Sequence, residues 1–209
     1  MIGVIDYGMG NLGSVANALE FLNVPVRVLA IPEDMTSCHA LILPGVGAFG
    51  DGMANLRHRG FVDPLRDWMA KERPLLGICL GLQMLCAASA ESPDAEGLGV
   101  IPERAVQFVS TPECKVPQMG WNRVARTPGR ECPIFRDIPN GTYFYFVHSY
   151  YLPQAAGWDA GRTVHGVDYT SVVWQGRTVA VQFHPEKSQQ AGLRLLRNFV
   201  NWSKEHDDN

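Results

Sequence analysis

The sequence predicts an α/β fold in one domain, built on a mixed, mostly parallel sheet flanked by helices. Three observations carry this. Short apolar runs alternate with helical patterns through the first half, which implies βαβ units. The second half is richer in strand signals, so the sheet is expected to be mixed. No linker, repeat or low-complexity segment divides the 209 residues, and that length suits one compact domain (1–209) with a sizeable core.

The elements follow in order. Ile2-Gly3-Val4-Ile5 reads as a buried strand. Leu12, Val15, Ala16, Leu19 and Leu22 then recur at helical spacing. Val26–Leu29 and Ala40–Leu43 are two further strands, and a helix follows over about 61–71, with Leu65, Trp68 and Met69 on one face. Leu75–Cys79 is the next strand. Later strands are expected at 105–109, 121–125, 142–149, 171–174 and 178–183. A last helix runs from about Ser188, its expected N-cap, to Trp202, with Leu193, Leu196 and Val200 on the buried stripe.

Composition narrows the function classes. The chain is 46% hydrophobic and 19% charged, with net charge -3. Such a balance gives no reason to expect nucleic acid, which usually meets a basic surface. No signal peptide is expected, because no basic segment leads an apolar run, and no apolar run approaches bilayer length. The five cysteines, Cys38, Cys79, Cys86, Cys114 and Cys132, are odd in number and show neither C-x-x-C nor zinc spacing. Free thiols in a reducing cytoplasm, with no metal and no cofactor, are the expectation.

One cysteine differs from the rest. Gly77-Ile78-Cys79-Leu80-Gly81 sits where an apolar strand ends and a helix begins, the arrangement of a nucleophile elbow with cysteine in place of serine. So sharp a turn strains the middle residue, and β-carbons two positions to either side would clash. The turn would leave Cys79 at a helix N-terminus, where the dipole favours the reactive thiolate. A lone G-x-C-x-G also fits a buried structural cysteine. The other four cysteines lack the flanking glycines and are read as structural.

A thiolate nucleophile needs a partner to accept and donate protons. Val181-Gln182-Phe183-His184-Pro185-Glu186 brings His184 out at a strand end. Side chains two apart in extended chain share a side, so Glu186 can orient His184 as the third member of a triad. Pro185 stiffens the backbone between them. Among His39, His58, His148, His165 and His206, only His148 lies in an equally strand-like setting. Leu41-Ile42-Leu43-Pro44-Gly45-Val46-Gly47 ends another strand in a glycine-rich loop. An oxyanion hole could take one N–H from Leu80 and a second from Val46 or Gly47. The loop lacks the accompanying residues of a phosphate-binding motif.

On these residues the chain resembles the class I (triad) glutamine amidotransferases over nearly its whole length. The motifs are Pro44-Gly45-Val46-Gly47, Gly77-Ile78-Cys79-Leu80-Gly81-Leu82-Gln83 and Phe183-His184-Pro185-Glu186. Within that family, four segments are similar to glutaminase subunits that serve imidazole glycerol phosphate synthesis. They are Asp6–Leu12, Val116–Asn122, Tyr145–Tyr150 and Glu186-Lys187-Ser188. Gln118 stands where many relatives carry histidine.

The resemblance implies an activity and a partner. Cys79 would attack the side-chain amide of L-glutamine, His184 would protonate the departing ammonia, and water would resolve a γ-glutamyl thioester. Gln83 and Glu91 would hold the amino-acid end of the substrate, with Ser149 and Tyr150 along the other side. The implied partner is a (β/α)8-barrel cyclase that receives the ammonia. Lys187 opposes the dipole of the helix it precedes, yet it would lie at the active-site rim, where that cyclase could pair with it. Trp121 and Tyr145 are the aromatic candidates for the same surface, with core packing as the other reading. Glutaminase subunits for anthranilate or pyridoxal phosphate synthesis share the triad, and only the resemblance of Met119-Gly120-Trp121-Asn122 separates them. A stand-alone elbow-cysteine hydrolase and a non-catalytic binding module remain as other classes.

Overall fold

The first half of the chain alternates strand and helix. β1 (Ile2–Ile5), α1 (Leu12–Phe21), β2 (Val26–Leu29), β3 (Ala40–Gly45), α2 (Phe49–His58), α3 (Val62–Ala70), β4 (Leu75–Cys79) and α4 (Leu80–Leu85) follow one another. The second half is strand-rich: β5 (Cys86–Ser89), β6 (Ile101–Gln107), β7 (Gln118–Arg123), β8 (Ala125–Arg126), β9 (Tyr143–His148), β10 (Tyr150–Tyr151), β11 (Asp159–His165), β12 (Val167–Gln175) and β13 (Thr178–Val181). α5 (Gln189–Lys204) closes the chain. This computed structural model describes residues 1–112 and 114–205, so His206 lies outside the described residues.

Eight strands form one sheet in the order β2-β1-β3-β4-β13-β12-β11-β8. The first five are parallel and the last three run antiparallel. β3 and β4 are buried at every position, as near-continuous apolar runs in a covered parallel sheet must be. Ile42, Leu76, Ile78, Val179 and Val181 join one core with Val15 and Leu19 of α1 and Leu195 and Phe199 of α5. Leu41, Leu43, Leu75 and Ala180 join the other, with Met53 of α2, Trp68 of α3 and Leu82 of α4. Smaller sheets, β10-β6-β5 and the ribbon β7-β9, complete the architecture.

Parallel strands deliver their C-terminal ends to one edge, where open α/β sheets carry their ligand sites. Gly45 pairs with Cys79, and Val181 pairs with Ile78. The glycine-rich loop, the cysteine elbow and the histidine segment therefore leave three adjacent strands side by side.

Several expectations are corrected. α2 lacks a helical signature because Gly50 and Gly52 lower its propensity. Tertiary packing overrides that: a Cβ on Gly52 would stand 3.0 Å from Met84 Sδ, and one on Gly50 would stand 2.7 Å from Ser92 Oγ. β5 and β11 were not expected, and β11 puts His165 on a strand beside His148 as a second such histidine. β6 begins four residues earlier than the expected 105–109, and Val109 is exposed. The expected strand at 121–125 begins at Gln118. On α5, Leu193 is only partly buried, while Leu195, Leu196, Phe199 and Val200 carry the core stripe. Ser188 occupies the N-cap position of α5 without a side-chain cap bond; its hydroxyl donates instead to the His184 carbonyl at 2.6 Å.

Candidate active site

Cys79 ends β4 with φ 55° and ψ -107°, a conformation few L residues adopt. The flanking glycines make the turn feasible. A Cβ on Gly81 would lie 2.0 Å from the Leu43 carbonyl oxygen, and one on Gly77 would lie 2.8 Å from the Ala180 side chain. The elbow throws the Cys79 side chain into a cavity of about 260 Å³. α4, which it opens, has only six residues, so fewer aligned peptide dipoles act on the thiol than a long helix would supply.

His184 faces the same cavity from the segment after β13. Its Nδ1 lies 2.8 Å from Glu186 Oε1, and the two side chains are only 2% and 1% exposed. Nε2 has no protein hydrogen bond of good geometry, but Cys79 lies close enough to act on the ring. Burial pulls the imidazole down, and the neighbouring Cys79 and Glu186 outweigh it, so that its pKa rises to about 10. Removing the Glu186 charge should therefore lower the His184 midpoint, by about one to three units. The check is nuclear magnetic resonance titration of the labelled imidazole in Glu186→Gln; an unmoved midpoint would contradict the coupling. The folded value exceeds the unfolded one, so the contribution is full below about 6.5 and is lost as pH rises through about 10.

The cavity gathers most of the residues singled out from the sequence. Val46, Gly47, Leu80, Gln83, Glu91, Ser149 and Tyr150 line it with Cys79 and His184, while Glu186 stands behind the imidazole. Gly47 has φ +91°, and Val46 is partly exposed in the loop between β3 and α2. Leu80 begins α4, so its N–H has no partner within that helix. Glu91 is not simply a solvated charge: its Oε2 accepts the Phe49 N–H at 2.7 Å and caps α2. Gln83 is buried, and its Nε2 donates to the Tyr150 carbonyl at 3.0 Å and to Gln182 Oε1 at 3.1 Å.

Sequence reasoning missed Gln182 and Tyr169 here, and gave Gln118 no partner. Gln182 is fully buried, and its Nε2 lies 3.7 Å from Cys79 Sγ. Glu186 meets His184 from the short 3-10 turn Pro185–Lys187 and not from the extended chain expected there; the same spacing of two that marked Glu186 also marks Gln182 beside His184 and could have found it. Gln118 and Tyr169 form a buried pair, the Tyr169 hydroxyl lying 2.9 Å from Gln118 Oε1 and 3.3 Å from His148 Nε2. Burial pushes the His148 imidazole down to about 4 and keeps it neutral. Pro117 and Val147 complete the wall.

Trp121, Tyr145 and Lys187 do not enter the cavity. Trp121 and Tyr145 pair across the β7–β9 ribbon with their rings edge to face at 6.2 Å. Their side of the ribbon, shared with Met119 and Tyr143, is open: Met119 is 66% exposed and Tyr143 53%. Phe144 and Phe146 point to the core instead. Lys187 is exposed. The ribbon is tied to the His184 segment, because His184 N–H donates to the Tyr145 carbonyl at 2.8 Å and Tyr145 N–H donates to Ser188 Oγ at 2.9 Å.

The family described as "Glutamine amidotransferase class-I" matches residues 3–202. The chain is 47% identical to imidazole glycerol phosphate synthase subunit HisH of Moorella thermoacetica, over 95% of this chain and 93% of that protein. It is 43% identical to the subunit of the same name from Desulfitobacterium hafniense, over 98% and 96%. Among solved structures, a glutamine amidotransferase superposes with TM-score 0.74 at 20% identity, covering 97% of this chain and 98% of that one. PurLQS from Thermotoga maritima does so with TM-score 0.74 at 17% identity, covering 96% and 97%. These two share the fold. With the motif residues converging on one cavity and a family match over nearly its whole length, the chain belongs to the class-I glutamine amidotransferases.

Proposed function

We propose that this chain is the glutamine-hydrolysing subunit of an imidazole glycerol phosphate synthase and passes ammonia to a cyclase in histidine biosynthesis. The observation that carries the reading is one cavity holding an elbow cysteine opposite a buried His184–Glu186 pair, in a chain 47% identical to a subunit of that synthase.

The chemistry follows from the groups. The Cys79 sulfur attacks the side-chain carbonyl carbon of glutamine, and N–H groups of Leu80 and of Val46 or Gly47 hold the oxyanion. The C–N bond breaks as His184 Nε2 gives its proton to the leaving nitrogen, releasing ammonia. His184 then takes a proton from water, whose oxygen attacks the thioester carbon and frees glutamate and the thiol. Glu186 keeps the imidazole oriented throughout. Glu91 receives the α-ammonium of the substrate, with Gln83, Ser149 and Tyr150 around it. The five buried free thiols suit a reducing compartment, the cytoplasm. No helix among the described residues is long and apolar enough to cross a membrane.

The cyclase, a (β/α)8 barrel in this reading, docks on the open aromatic face of the β7–β9 ribbon beside Lys187. Apolar surface of that kind is otherwise costly to leave in water. Lys187→Ala should weaken cyclase binding by about tenfold, which corresponds to 1.4 kcal/mol, with chain stability unchanged or slightly raised because the helix dipole is relieved. Calorimetric titration checks the first and thermal unfolding the second. Unaltered binding and unaltered stimulation would make Lys187 a solvated cation only. The overall reading is tested by supplying the complex with glutamine or with ammonium and following formation of imidazole glycerol phosphate. Synthesis must proceed from either nitrogen source, and glutamine must require this chain.

A further inference from the structure

We propose that Gln182 is a positioning residue for the nucleophile, donating a side-chain N–H to the Cys79 sulfur in an orientation fixed by Gln83. The proposal rests on Cys79 being the nucleophile. A side-chain amide can usually be turned end for end, because its oxygen and nitrogen look alike. Here the chain of contacts ends on a group that allows no choice. The Tyr150 carbonyl can only accept, and the amide of Gln83 meets it at 3.0 Å. Gln83 must therefore present its nitrogen. The second hydrogen of that nitrogen points to Gln182 at 3.1 Å, so Gln182 must present oxygen there. Its own nitrogen is left facing Cys79 Sγ at 3.7 Å. Turning either amide would set oxygen against oxygen or N–H against N–H in a site where Gln83 is 4% and Gln182 0% exposed, and such a mismatch is costly in a low-dielectric interior.

The far end of the chain is held as firmly. The Tyr150 carbonyl also takes a hydrogen bond from His148 Nδ1 at 2.8 Å, which fixes that tautomer. Three separate elements, β10, α4 and the segment after β13, thus combine to aim one N–H at the sulfur.

An N–H donor has a defined chemical effect on a thiol. It cannot accept the S–H proton, so it steers that proton toward an acceptor, such as the Val147 carbonyl 3.9 Å away or the imidazole. It also stabilises the anionic sulfur over the neutral one. The short α4 makes this donor matter more, since the helix supplies a limited dipole. Cys86 shows the opposite environment: its sulfur meets an acceptor, the Leu82 carbonyl at 3.7 Å, and burial pushes its thiol up to about 12.

The test is the pH profile of Cys79 alkylation by iodoacetamide in the full-length chain, read by mass spectrometry on the peptide that carries Cys79. Gln182→Met keeps the volume and removes the donor, and should raise the midpoint by about one unit, a tenfold lower thiolate fraction at neutral pH. Gln182→Glu should raise it further by placing a negative charge beside the sulfur. Where Gln182→Met does not fold, Gln83→Met releases the Gln182 amide and must raise the midpoint in its place. Midpoints equal to wild type in the folded variants would overturn the proposal while leaving the nucleophile standing. Alkylation of Cys79 no faster than that of the buried Cys86 at neutral pH would instead remove the nucleophile itself.

Discussion

Cys79→Ala should lower glutamine-dependent synthesis by about 10⁴-fold or more, the scale of removing the nucleophile from a triad, while synthesis from added ammonia continues at the wild-type rate. The selectivity matters more than the size of the loss. Ammonia enters the acceptor reaction after the thioester chemistry, so it needs neither the sulfur nor His184. A variant that damaged the fold or the docking surface would depress both nitrogen sources. Steady-state rates with each source separate the two cases. Cys132→Ala is the control: that thiol is buried and does not line the cavity, so glutamine-dependent activity should persist. Wild-type glutamine hydrolysis by Cys79→Ala would dismiss the triad.

The second large effect is expected from the partner. The isolated chain should hydrolyse glutamine slowly, and the cyclase with its nucleotide ligand should raise the rate by at least about 10²–10³-fold, the worth of one oxyanion donor. Gly47 already holds φ +91°, a region closed to most residues, and glycine allows its peptide to turn between inward and outward directions. The ribbon that carries Trp121 and Tyr145 is hydrogen-bonded through Tyr145 to both His184 and Ser188. Docking on that ribbon would therefore have a direct path to His184. Glutaminase assays with chain alone, chain with cyclase, and complex with ligand measure the effect. An isolated chain already at the complex's rate would end this reading.

Legibility from sequence followed the physics of each element. The parallel half was readable because β1, β3 and β4 are short apolar runs bounded by turns, as covered strands must be, while the edge strand β2, exposed at Arg27 and Val28, reads from its β-branched residues. The elbow was readable because its glycines answer a steric demand of 2.0 Å at Gly81 and 2.8 Å at Gly77. Helix α2 and strand β11 were not, because their glycines serve close packing that only the folded chain supplies; a Cβ on Gly161 would stand 3.1 Å from Val172. Within the site, the His184–Glu186 pair was legible, but the partners of most other residues were not. Glu91 was marked as a carboxylate for substrate, but its capping bond to Phe49 depends on contact across 42 positions. Gln83 was marked for substrate as well, yet both hydrogens of its amide nitrogen are engaged within the protein. Ser188 fitted the statistics of an N-cap, and its hydroxyl instead joins Tyr145 to His184.

Covalent capture tests the glutaminase assignment most directly. The complex of this chain with its cyclase would be treated with a glutamine analogue carrying an electrophilic carbon in its side chain, then mapped by peptide mass spectrometry. The expected result is one adduct per chain, on Cys79, slowed when L-glutamine is present. An adduct on Cys38, Cys86, Cys114 or Cys132 instead, or labelling of Cys79 that glutamine does not slow, would contradict it.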